Sequence, residues 1–261
     1  MEDYEIFRKI WEAGVPIEFR LDKEEHISKS VTSYFEILPR IGYFYLELDN
    51  VLKFFSNACN SPIDSTNVWL EVNGTALKWH YPIGVLFDLH SNEQHLPWTI
   101  TVHLKNFPDS LLRFSTREEK RSCFFQAIKE ADQLKHKGNV VSDMKPEEHN
   151  RLFDSLCNHK FDDFRSASNR LRVIDKAAYL PIRFYKSSRK SFHQILIKAT
   201  NEDAALLSIN DAVKLAFPDE NIESAKILTH GILLPPETPL NWLSRNLAYA
   251  DNVLHIVVKD N

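Results

Sequence analysis

The feature that most limits what this chain can fold into is an internal repeat. Gly74, Pro82 and Leu86 recur as Gly231, Pro239 and Leu243, each 157 residues further on (231 − 74). An unrelated segment would not keep that spacing, and self-similarity decides architecture before any local reading does. Each copy closes on a strand pattern. Ile100-Thr101-Val102-His103-Leu104 alternates apolar and polar residues, whereas Leu254-His255-Ile256-Val257-Val258 is a more continuous apolar run. The openings match as well, Pro16-Ile17-Glu18-Phe19 against Pro181-Ile182-Arg183-Phe184. Two related domains are expected, with Gly74 and Gly231 where a strand gives way to a turn. Both closing strands should lie inside their sheets and pair with the opening strands.

At 261 residues the chain has room for two or three compact domains. With 43% hydrophobic and 26% charged residues, and 17 Phe, 8 Tyr and 5 Trp, it can build real cores and shows no compositional sign of extended disorder. A net charge of −4 gives no global pull toward nucleic acid. The amino-terminal Met1-Glu2-Asp3-Tyr4-Glu5 is acidic and leads into no long apolar run, so no targeting segment is expected. Nor does any stretch approach the ~18 to 20 apolar residues of a spanning helix. Cys59, Cys123 and Cys157 are odd in number and widely spaced, which favours reduced thiols. The chain therefore reads as cytosolic.

Ile6, Phe7, Ile10 and Trp11 fall at helical spacing before Gly14. Such a short helix needs a docking surface. From Pro16 to Asn106 the pattern predicts strand, polar stretch, strand (42–48), helix (51–58), strand (68–72), a crossover bearing Pro82, and the strand from Ile100. The region from about 107 to 178 reads as helical and without strands. Ser115 and Glu118 suggest a capping box, and Lys135-His136-Lys137 before Gly138 suggests a helix end. Pro146-Glu147-Glu148 fits a first turn, and Phe161, Phe164, Ala167 and Leu171 a third helix. From Tyr179 come a strand, a turn at Ser187-Ser188-Arg189-Lys190, a strand (192–198) and a helix from Ser208 with Asp211 three residues on, stopped by Pro218. Strand, hairpin, helix, strand, short helix, strand is the β-grasp order. The expected fold is α+β. A short helix (1–14) precedes a first ubiquitin-like domain (15–106), a helix-rich domain (107–178) and a second ubiquitin-like domain (179–261).

Several runs are specific enough to carry a family resemblance. They are Leu77-Lys78-Trp79-His80-Tyr81-Pro82-Ile83-Gly84 with Leu86-Phe87-Asp88-Leu89, and Leu96-Pro97-Trp98-Thr99-Ile100-Thr101-Val102-His103. Lys129-Glu130-Ala131-Asp132 with Leu134-Lys135-His136-Lys137, and Thr238-Pro239-Leu240 with Trp242-Leu243-Ser244, complete the set. With two ubiquitin-like units around a helical middle, the chain resembles the animal members of the autophagy protein 5 family over essentially its whole length. The carboxyl end, Lys259-Asp260-Asn261, lacks the glycine tail of a conjugated modifier, so a ubiquitin-like scaffold without a donor end is expected. The resemblance implies that one lysine of the helical domain accepts an isopeptide bond from the ubiquitin-like autophagy protein 12. It further implies that the conjugate binds a helix of autophagy protein 16, works with the pathway's conjugating enzymes, and promotes lipid transfer onto phosphatidylethanolamine at autophagosome precursor membranes, where it is recruited peripherally. The lysine that matches is Lys129. No enzyme activity, cofactor or metal is implied.

Helical geometry bears on that assignment. At 100° per residue Cys123, Phe124, Ala127, Ile128, Ala131 and Leu134 share one face, while Lys129 points away beside Ser122, Gln126 and Gln133. An exposed lysine amine, with a reference pKa of about 10.4, must lose its proton before it can attack a thioester. The acids Glu130 and Asp132 are expected to favour its charged form. Periodicity alone is equally met by an ordinary solvated lysine. Phe125, one turn before Lys129 and off the apolar stripe, fits either a partner contact or an adjacent domain.

Ile6, Phe7, Ile10 and Trp11 fit a groove for a partner helix as well as plain docking on the chain itself. Lys186, Arg189 and Lys190 around a hairpin turn fit contact with anionic lipid or a solvated turn. Catalysis by Cys123 or Cys157 is the alternative enzyme reading, and a free-standing ubiquitin-like adaptor is the other alternative. A thiol on an apolar helix face is usually a core residue. Cys157 with His159 is a poor metal signature, as are His80, His90, His95 and His103.

Overall fold

A computed structural model describes residues 3–25, 31–59, 62–91, 95–173, 179–200, 205–220 and 224–260. The chain forms two compact units, Ala13–Arg121 and Met1–Glu12 with Ser122–Asn261. The expected boundary between the helical and second ubiquitin-like regions, 178 to 179, adjoins residues 174–178, which lie outside the described residues.

Helix α1 (Tyr4–Glu12) belongs to the second unit. The first unit contains β1 (Gly14–Leu21), β2 (Tyr34–Pro39), α2 (Phe44–Glu47), α3 (Asp49–Cys59), β3 (Trp69–Val72), β4 (Thr75–Ala76), α4 (Ile83–His90) and β5 (Trp98–His103). Its sheet runs β2-β1-β5-β3-β4, with β1 and β5 parallel at the centre and Ile17 beside Trp98. Val15, Ile17, Phe19 and Leu21 alternate along β1 and bury one face with Leu70, Ile100, Val102, Val51 and Phe55. Phe44 meets Phe19 edge-on at 6.4 Å between ring centres.

In the second unit come α5 (Arg117–His136, most of it in this unit), α6 (Asn139–Ser142), α7 (Pro146–Cys157) and α8 (Phe161–Arg172). They are followed by β6 (Tyr179–Leu180), β7 (Ile182–Tyr185), β8 (His193–Gln194), β9 (Ile197–Lys198), α9 (Ile209–Ala216), β10 (Lys226–Thr229), β11 (Ile232–Leu233), α10 (Leu240–Asn246) and β12 (Leu254–Lys259). The main sheet runs β11-β10-β12-β7-β8, and β6 pairs with β9 separately. Read from the other edge this is the order of the first sheet, with β7 and β12 parallel at the centre. Ser208 and Asp211 form the expected capping box on α9.

The repeat holds at the level of single bonds. Asn73-Gly74 and His230-Gly231 both turn with positive φ (50° and 78°, 52° and 78°), the conformation a two-residue hairpin requires and glycine adopts without strain. Leu77 N–H donates to Leu70 O at 2.8 Å, and Leu234 N–H donates to Ile227 O at 2.9 Å. Pro82 and Pro239 sit just before α4 and α10, each carbonyl accepting from a leucine four residues on, Leu86 or Leu243, at 3.1 Å. The two closing strands differ in burial as their sequences suggest. Along β5 buried and half-buried residues alternate, so one face of the sheet is solvated; along β12 Leu254 to Val258 are all buried, so both faces are covered.

Three expectations are corrected. Residues 42–48 form no strand: Phe44 and Tyr45 are buried consecutively in α2, and the second strand is β2 instead. The signal in β2 is inverted because this edge strand exposes Phe35 and Ile37 and turns Glu36 toward the helix side, where it accepts from Asn50. The stretch 192–198 splits into β8 and β9, which belong to different sheets.

Candidate functional site

The site is built on α5. Thr116 Oγ1 accepts from Glu119 N–H at 3.2 Å, and the Glu119 carboxylate accepts from Thr116 N–H at 3.2 Å. The capping pair thus lies one residue beyond the expected Ser115 and Glu118. At the other end Lys137 and Gly138 take φ of 58° and 80°, ending the helix where the sequence places its C′ glycine.

Lys129 is exposed, and so are Ser122, Gln126 and Gln133 around it. Among the described residues Lys129 makes no ion pair or side-chain hydrogen bond. The buried face of α5 is broader than the apolar stripe. Phe124, Ile128 and Ala131 are buried as expected, Cys123, Ala127 and Leu134 only partly, and Phe125, Asp132, Lys135 and His136 join them.

The acids flanking Lys129 both take other partners. Glu130 pairs with Arg183 of β7 and accepts from Gln126 at 3.1 Å. Asp132 is wholly buried, accepting from Val141 N–H at 2.9 Å and facing His136 Nδ1 at 2.8 Å, while His136 Nε2 lies 2.7 Å from Val173 O.

Lys135, in the basic run that marks the helix end, is 2% exposed and donates to Asn252 Oδ1 at 2.7 Å. Burial pushes its pKa down to about 7, Arg172 adds to the fall, and Asp251 opposes it. Asn252 donates in turn to Leu171 O at 2.6 Å. Beside it the buried Asp251 faces His255 Nε2 at 2.9 Å, and His255 Nδ1 faces Tyr185 Oη at 2.7 Å. Burial alone would raise the Asp251 carboxyl, but His255, Arg183 and Val253 N–H hold it below the usual carboxylate range. The Lys135–Asn252 bond ties α5 to the turn that precedes β12. No sequence period signals it, because the partners lie far apart in the chain.

Several candidate partner-contact residues are internal. Phe7, Ile10 and Trp11 are buried, leaving only Ile6 half-exposed. Trp11 lies 4.7 Å from Phe164, Phe7 lies 5.4 Å from Phe161, and the Arg172 guanidinium sits 3.5 Å from the Phe7 ring centre. Ile10 joins the core of the second sheet. Phe125 is buried edge-on against His149 of α7 at 5.0 Å, so the helical region itself takes up this side chain. Lys186 is buried as well, its ammonium bonded to Glu220 at 2.6 Å and Asp260 at 3.0 Å, which removes it as a lipid contact. Arg189 and Lys190 are exposed, though Arg189 also pairs with Glu220 at 2.7 Å. Cys123 and Cys157 are half-buried. Among the described residues no group of three metal-ligating side chains converges, and no helix is long and apolar enough to cross a membrane.

Two sheets of one strand order, together with helices that present an exposed lysine, define a protein built of paired ubiquitin-like domains. Family models described as Autophagy protein ATG5, UblA domain, alpha-helical bundle region and UblB domain match residues 10–104, 117–173 and 179–258. The chain is 36% identical to Autophagy protein 5 of Drosophila melanogaster, over 98% of this chain and 97% of that one. It is 32% identical to Autophagy-related protein 5 of Caenorhabditis elegans, over 98% of each. The crystal structure of Kluyveromyces marxianus Atg5 superposes with a TM-score of 0.86, covering 98% of this chain and 100% of that one; at 19% identity it speaks to the fold alone. The chain belongs to the autophagy protein 5 family, and its role lies in autophagy.

Proposed function

We propose that the chain is a non-catalytic scaffold joined through Lys129 to the ubiquitin-like autophagy protein 12. In that reaction the neutral Lys129 amine attacks the thioester carbonyl between the donor's terminal carboxyl and a conjugating-enzyme cysteine. A C–N bond forms, the C–S bond breaks, and the thiolate leaves. The carrying observation is the exposure of Lys129, without an ion pair among the described residues, on a helix tied down on its opposite side. With no carboxylate held against it, the amine approaches a thioester without first breaking a salt bridge; the conjugating enzyme supplies orientation and proton removal.

The conjugate, bound to a helix of autophagy protein 16, then serves as a ligase-like complex that promotes attachment of the autophagosomal ubiquitin-like modifier to phosphatidylethanolamine. The region around α1, with Ile6 as its remaining half-exposed anchor, is the proposed contact for that helix, and Arg189 and Lys190 are the proposed lipid contacts. Reconstitution with the donor, its activating and conjugating enzymes and ATP tests the reading. Wild type should yield one adduct and Lys129→Arg none, while a normal adduct on Lys129→Arg would remove this lysine from the mechanism.

A further inference from the structure

We propose that Arg183 is a positioning residue for the acceptor lysine, acting through Glu130. This rests on the reading of Lys129 as acceptor. Arg183 stands on β7 with its side chain only 10% exposed, beside His255 of β12 in the parallel register. Its guanidinium lies 4.5 Å from the Phe192 ring centre and donates to Gln194 Oε1 at 3.2 Å, so its direction is fixed by the sheet. From there it holds Glu130, the residue next to Lys129, whose side chain is 46% exposed at the edge of the helix.

Two consequences follow for the amine. The pair sets the rotation of α5 about its own axis, because Glu130 is one residue, or 100°, from Lys129. A second anchor, Lys135 to Asn252, lies 5 residues further along the same helix and limits twist between them. The pair also engages the carboxylate nearest in sequence, which leaves Lys129 outside any ion pair among the described residues. Positioning of this kind acts on the rate of transfer once the charged enzyme is bound, more than on its binding, since misplacement of a reacting group by about 1 Å costs ~100-fold.

The test compares full-length wild type with Arg183→Gln, Glu130→Gln, Arg183→Lys and Lys129→Arg, using donor loaded as a thioester on its conjugating enzyme. Arg183→Gln and Glu130→Gln should lower kcat for transfer by ~10- to 100-fold with KM changed less than about twofold, and Arg183→Lys should restore most of the rate. Acylation of Lys129 by a small N-hydroxysuccinimide ester, read by peptide mass spectrometry, should stay at the wild-type rate in all three, because an exposed amine needs no alignment to meet a small reagent. Wild-type kcat in both Gln variants, or a loss seen equally with the small reagent, would overturn the positioning role. Since Glu130 is half-exposed, Glu130→Gln keeps the test open if Arg183→Gln fails to fold. Lys129→Arg separates the two readings: an adduct on it defeats the acceptor assignment itself, whereas no adduct on it with unchanged kcat in the Gln variants defeats only the role of Arg183.

Discussion

Glu18 and Arg183 hold the same position in the two sheets with opposite charge. Each follows the Pro-Ile opening of its strand and lies beside the closing strand, Glu18 across from Thr99 and Arg183 across from His255. Glu18 is satisfied within its own sheet and flank, accepting from Arg20, Ser33 and Thr99 at 2.7 to 3.1 Å. Those donors, Arg20 first, hold its carboxyl below the usual range although burial opposes them. Arg183 reaches out of its sheet to Glu130 on α5. One copy thus closes its outer face with its own polar groups, and the other uses the equivalent position to seat the helix that carries Lys129.

Trp11→Ala should destabilise the protein by about 3 to 5 kcal/mol, because the indole is buried against Phe161 and Phe164 and its removal leaves a cavity. Urea denaturation measures the loss. A change under about 1 kcal/mol would show that α1 is not part of the core. Measured alongside, affinity for an autophagy protein 16 helix tells whether the docked helix also shapes the proposed partner contact.

Lys135 predicts a pH dependence with a definite sign. Its folded pKa of about 7 lies below the ordinary lysine value of 10.5, so between these the unfolded chain binds the extra proton. Stability from this group must therefore rise with pH: the penalty for a buried ammonium is fully felt below about pH 7 and is relieved as the pH climbs toward 10.5. From pH 7 to 9, wild type should gain about 2 kcal/mol relative to Lys135→Met. Parallel stability curves for the two proteins would contradict the burial of a titrating amine.

Gly74→Ala should cost about 1 kcal/mol through backbone strain alone. At φ of +78° an L-residue is disfavoured, while an added Cβ would meet nothing within 4 Å. Thermal unfolding reads the effect. A loss of several kcal/mol would mean that the turn is crowded.

What the sequence discloses and what it hides follow from range. The duplication was legible because a hairpin glycine and a helix-entry proline are local requirements, kept at one spacing at Gly74 and Gly231, Pro82 and Pro239. The exposure of Lys129 was legible from helical period. Even the difference between the sheets was written in β5 and β12, alternating where one face is solvated and continuous where both are covered. The burial of Lys135, Lys186 and Phe125 is not legible in the sequence, because each meets a partner distant along the chain: Asn252, Glu220 with Asp260, and His149. Strand β2 reads as part of a polar stretch because Phe35 and Ile37 point outward from an edge while Glu36 turns inward.

The most direct test is tryptic mass spectrometry of the protein taken from its native cell. A branched peptide should carry the donor's carboxyl-terminal residues on the Lys129 amine, and Lys129→Arg should eliminate both this peptide and the high-mass adduct. A branch at any other lysine, or an adduct that survives Lys129→Arg, would contradict the account.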